Sequence, residues 1–158
     1  MEQGLGQIST VPAVGGAFVC SSAGDVIVSS TPPVLATVTM NNIGREIARA
    51  FAAFETSGRP VTRLDVTYDT WRLLANDMGD ALMFVVCHPG VDAAIVRMTI
   101  DVVTAGWYKD QKVQKRIAQH KAPRQAAITA NALDERSQQV WRLIESQTWP
   151  GAQSAQAV

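Results

Sequence analysis

Residues 81 to 87 read ALMFVVC, seven apolar side chains with no polar residue among them. The run is too short for a buried helix and is bounded by the turn-forming NDMGD and HPG, so it predicts a strand. Strand side chains alternate between two faces, and a strand apolar on both must be covered on both. A chain containing it is expected to build a sheet between two layers, with 81–87 near the sheet's centre.

The flanking sequence supplies the other parts. GAFVC (16–20) and VIVSS (26–30) are short strands joined by SSAGD, with Gly24 suited to positive φ, so they predict a hairpin. Residues 34 to 57 predict a long helix that starts after TPP and stops at Gly58 and Pro60. Its Met40, Ile43, Ile47, Ala50, Phe51 and Phe54 repeat at helical spacing and are expected to face the core. A second stripe of Thr37, Gly44, Ala48 and Ala52 is small, and reads either as an exposed Ala-rich flank or as a groove for another helix. TRLDVTY (62–68) and TWRLLAN (70–76) alternate as strands with one polar flank, and residues 91 to 106 return to helical spacing. There the expected core face is Val91, Ala94, Ile95, Met98, Val102 and Ala105. The neighbouring stripe of Val96, Ile100, Val103 and Trp107 then needs a separate cover: the segment around Ile8 and Val11, the tail, or a partner.

After residue 106 the composition changes. Residues 109 to 124 hold six Lys or Arg against one Asp. The expectation is one domain over 1–106 and an appendage over 107–158. The appendage comprises a basic linker, an amphipathic helix over 131–147 striped by Leu133, Val140, Trp141 and Ile144, and a polar disordered end. That stripe is expected to dock on the chain's own domain or on a partner.

Glycines in VPAVGGAFVCSSAGDVIVSS do not make a phosphate loop, because Gly24 opens onto a strand rather than a helix N-terminus and no Lys follows it. Gly15 and Gly16 are read as allowing a helix to pass close to the first strand. Cys20, Cys87, His88 and His120 lack zinc-ligand spacing, and there is no Gly-x-Ser-x-Gly elbow or oriented histidine. No metal, cofactor or enzymatic activity is expected, and both cysteines are read as buried thiols. The formal net charge of zero gives no global attraction to nucleic acid or anionic lipid. The basic segment reads as a solvated linker, then as a site for an acidic protein surface. With no secretory leader or membrane-spanning run, a cytoplasmic protein is expected.

The order of elements, together with Gly16-Ala17, AGDVIVSS, FETSGRP, LDVTYDTWRLLA and ALMFVV, resembles the roadblock/dynein light chain family over roughly residues 5 to 106. The resemblance implies an α/β layered fold: a five-stranded antiparallel sheet, a long helix on one face and two helices on the other. It also implies homodimers or heterodimers made through long helices and edge strands. On that mapping Gly44, Ala48 and Ala52 would meet their counterparts, with Thr37 on the same stripe, and RLDVT, with Arg63 and Asp65, would supply the edge. Family members bind small Ras-like GTPases or serve as scaffold subunits. The expected function is therefore a non-enzymatic, dimeric GTPase-binding module. The alternatives are a small-ligand sensory domain of PAS or profilin-like layering, and a structural subunit without a GTPase partner.

Overall fold

The computed structural model describes residues 1–33 and 35–122. In chain order these form α1 (Glu2–Ser9), β1 (Val14–Ser21), β2 (Val26–Ser30), α2 (Thr37–Thr56), β3 (Arg63–Thr67), β4 (Arg72–Asp77), β5 (Ala81–Cys87), α3 (Ala93–Lys109) and α4 (Gln111–Gln119). The strands make one antiparallel sheet in the order β2-β1-β5-β4-β3. The apolar run at 81–87 is the middle strand, as its two apolar faces require.

Alternation along β1 and β5 divides the interior into two layers. Ala17, Val19, Met83 and Val85 face a core shared with α1, α3 and α4, whereas Phe18, Cys20, Leu82 and Phe84 face α2. Phe18 and Phe84 are cross-strand partners and stack with their ring centroids 4.8 Å apart. Such a pair adds about 0.5–1.5 kcal/mol to the burial of its surface.

The inward faces of both long helices depart from the stripes the sequence suggests, in part on α2 and throughout α3. On α2 the buried residues are Met40, Gly44, Phe51 and Ala52, while Ile43, Ile47, Ala50 and Phe54 are half-buried. The cause is Gly24, which has φ +92° in the β1–β2 turn: a Cβ on Gly44 would overlap the Gly24 carbonyl, and a Cβ on Gly24 would overlap the α2 backbone. The two glycines let the helix sit directly on the turn, so the small stripe lies underneath.

On α3 the buried residues are Val96, Ile100, Val103, Thr104 and Trp107, and Ile95, Met98 and Val102 are exposed. Of the three covers expected for that stripe, the N-terminal segment is the one seen: Leu5 and Ile8 of α1, with Val11 beside them, make it core, so it is not a docking site for the tail or a partner. Gly4 makes this possible, since a side chain there would collide with Trp107 and Val103.

A boundary at residue 106 is not seen either, because α3 runs on to Lys109. The basic text that follows is a short helix capped by the Asp110 carboxylate, which accepts from the Lys112 and Val113 amides. Its Val113 and Ile117 complete the α1/α3 core. Arg116 bonds Glu2 at 2.6 Å and holds that carboxylate down to about pKa 2. The tail stripe Leu133, Val140, Trp141 and Ile144 lies outside the described residues.

Gly16 also differs from expectation. Its missing side chain accommodates Thr31 and the end of β2, not a helix.

Candidate interaction surface

The position of α2 leaves part of the sheet open. Asn41 Oδ1 accepts from the Val26 amide at 2.8 Å, and Arg45 bonds Asp25 at 2.7 Å, so one flank of the helix faces β2. At 100° per residue, Ile43, Ile47, Ala50 and Phe54 lie on the opposite flank. That flank looks across the sheet toward β4 and β3. Leu64 and Val66 of β3 share this layer and are half-buried, as are Val61 and Trp71. The result is an apolar shelf between helix and edge strand, with its residues partly covered rather than closed over.

Among the described residues the edge beside the shelf is free. Asp77 N bonds Thr62 O and Tyr68 N bonds Trp71 O, so the even-numbered residues of β3 exchange hydrogen bonds with β4. The amides and carbonyls of Arg63, Asp65 and Thr67 therefore point outward. At the other edge two of the outward groups are in use: Asn41 takes the Val26 amide, and Arg116 Nη2 donates to the Ile27 carbonyl at 3.4 Å.

Side chains of Arg63 and Asp65 point to the opposite face, toward α3. Arg63 pairs with Asp101 at 2.6 Å, with both ends about half exposed. Asp65 is more enclosed: it accepts a two-pronged bond from Arg72, both arms at 2.7 Å, and a third bond from Arg97. The carboxylate raises the Arg72 guanidinium above its ordinary pKa, so it stays charged. Asp65 thus stands at the middle of the bare edge with its charge compensated twice.

The sequence-predicted interface residues are divided by this arrangement. Arg63 and Asp65 are on the free edge as expected, offering backbone groups outward while their side chains anchor α3. Thr37 is exposed at the start of α2. Gly44, Ala48 and Ala52 instead lie toward the chain's own sheet, with Gly44 and Ala52 buried and Ala48 packed against the α2-side core. The small groove is filled from within the protomer. Ile43 and Ile47 are expected in the core and Leu64 and Val66 on the apolar side of an alternating strand, and the incomplete cover of all four is not visible in a periodicity.

Among the described residues no three His, Cys, Asp or Glu side chains gather as a metal site. Cys87 and His88 diverge: the thiol is buried beside the Arg72 carbonyl, and the His88 Nδ1 accepts from the Gly90 amide, closing the turn. No described helix is long and apolar enough to cross a membrane.

No protein-family model and no curated protein matches the sequence. Solved structures do match. A roadblock/LC7 domain from Streptomyces avermitilis superposes with a TM-score of 0.60 at 14% identity, over 69% of this chain and 95% of that one. The chain has the roadblock fold. MglB from Myxococcus xanthus matches with a TM-score of 0.57 at 13% identity, over 66% of this chain and 88% of its own. The gliding protein MglB from Thermus thermophilus matches with a TM-score of 0.52 at 13% identity, over 75% of this chain and 86% of its own.

Proposed function

We propose that the chain is a non-enzymatic, cytoplasmic binding module that pairs with a second copy through β3 and the α2 flank, and that the composite face docks a small Ras-like GTPase. The observation that carries the pairing is the coincidence of bare backbone groups on β3 with an apolar shelf beside them. Antiparallel addition of a second β3 satisfies the outward groups of Arg63, Asp65 and Thr67. The same two-fold brings a second α2 flank toward Leu64 and Val66, closing apolar surface at roughly 25 cal/mol per Å². Two Asp65 residues approach one another in such a pair, and the Arg72 and Arg97 clamps offset their repulsion.

A GTPase partner is supported by the roadblock resemblance rather than by any residue of the site. Copurification of the full chain with small GTPases from the same genome, each loaded with GDP or with a non-hydrolysable GTP analogue, tests it. Retention in one nucleotide state supports the regulator reading. A folded dimer that retains none in either state leaves the scaffold reading in its place.

The ligand-sensor reading has less support. The layer between α2 and the sheet is filled by Phe18, Phe84, Met40 and Phe51. A notch lined by Arg63, Asn76, Arg97 and Asp101 encloses about 10 Å³, room for one water and not for a metabolite.

A further inference from the structure

The outward face of α3 carries apolar side chains that no described residue of the protomer covers: Ile95 is 48% exposed, Met98 63% and Val102 60%. Three bulky residues over two turns of one helix form a continuous stripe, not scattered surface hydrophobes. It lies on the far side of the sheet from the α2 shelf. The charged residues of the helix interior are turned away from it, since Arg97 and Asp101 are committed to Asp65 and Arg63 on β3.

We propose that this stripe is a second self-association surface, occupied by α3 of another copy running antiparallel. Size and charge along the helix both support that occupant. Set two copies about a two-fold axis at the level of residue 100, and Met98 of each lies against Val102 of the other. Bulky Ile95 then lies over Ala105 and Gly106, which are small and exposed, and a Cβ at Gly106 meets nothing among the described residues of its own chain. Large residues meet small ones twice, as close helix packing requires. The same operation brings the acidic end of one helix, at Asp92, beside the basic end of the other, at Lys109. An anionic lipid surface would favour a uniformly basic border, whereas this one includes Asp92, Asp101 and Asp110.

The contact is narrow, smaller than interfaces that hold a permanent complex, so it forms on concentration. It is independent of β3. A β3 pair would carry two α3 stripes, so association through α3 raises the mass of such an assembly at least twofold.

Sedimentation equilibrium of the full chain tests the proposal. The expected result is at least a twofold rise in mass between low and high concentration. Ile95→Glu and Gly106→Leu should both remove it, with thermal melts confirming the fold; a Cβ at 106 meets no described residue of the protomer. Register is read by mixing Met98→Cys protein with Val102→Cys protein under mild oxidation, because the native thiols Cys20 and Cys87 are buried. A disulfide-linked pair forms in the mixture in excess of either protein alone. A mass that does not rise with concentration, or rises equally in both variants, overturns the proposal. So does flotation with anionic vesicles that Ile95→Glu abolishes, which would assign the stripe to lipid.

Discussion

Gly24 and Gly44 occupy each other's side-chain space: backbone at each stands where a Cβ on the other would have to go. This contact sets the height of α2 above the sheet, and hence which of its stripes is buried and how far the shelf beside it stays open. Gly44→Ala should cost about 1–3 kcal/mol, because the added methyl meets backbone that cannot swing aside. Gly24→Ala should cost at least as much, since it adds a left-handed φ to the overlap. Gly6→Ala, in a helix with open space around it, should instead stabilise by about 0.5–1 kcal/mol. Urea midpoints at unchanged m-value provide the comparison.

Thr67→Pro should separate pairing from folding. The Thr67 amide points away from β4, so proline removes no hydrogen bond among the described residues while blocking a strand added at the edge. The expected outcome by light scattering is a folded protein of half the mass. Ala48→Arg should behave differently, losing stability rather than only its partner, because Ala48 packs against the chain's own core. A monomeric wild type would remove the pairing step of the proposed function.

The two ion pairs that tie β3 to α3 should contribute unequally. Asp65→Asn removes the carboxylate charge and leaves one acceptor oxygen for three guanidinium donors, at a site where both Asp65 and Arg72 are mostly enclosed, and should cost about 1–3 kcal/mol. Arg63→Gln breaks a half-exposed pair and should cost less than about 1 kcal/mol. Thermal denaturation of the two variants at low and high salt distinguishes them, with the Arg63 effect vanishing in salt.

Alkaline stability should report Cys20. Burial, with Asp25 adding to it, pushes this thiol up to about 12 from its ordinary 9. Between those values the folded chain keeps a proton that the unfolded chain releases, so stability is full below pH 9 and falls as pH rises through the window. The slope from this group approaches about 1.4 kcal/mol per pH unit. Cys20→Ala should flatten the denaturation midpoint against pH above 9, whatever its effect at neutral pH. An unchanged slope would mean the thiol is less enclosed than its place beneath Gly44 requires.

What the sequence discloses here, and what it conceals, follows from where the information resides. The central strand was legible to the residue, because an unbroken apolar run admits one environment. The hairpin was legible because Gly24 sits between two strand-like runs. The faces of α2 and α3 were not, since each helix carries two adjacent apolar stripes and amphipathicity cannot choose between them. On α2 the choice is made by Gly24, about twenty residues before Gly44 in the chain. On α3 it is made by β3, and that signal was present in the text. Arg63 and Asp65, two apart on a strand, span nearly the same distance as Arg97 and Asp101, four apart on a helix, with the charges in complementary order. The docking of α4 was likewise marked, by a capping Asp110 ahead of Val113 and Ile117, but hidden under the lysines around it. The shelf depends on which neighbours are missing, and no local pattern encodes an incomplete cover.

The unlike ends of the sheet have a consequence for how far assembly can go. At β2, side chains from the helices on both faces already hold backbone groups, while no described residue does the same for the outer rim of β3. In the pairing proposed above, the two β3 rims would meet and the doubled sheet would end at two β2 rims that these side chains partly block. Further growth along the sheet would then meet a hindered rim on either side, which disfavours continuation into a fibre.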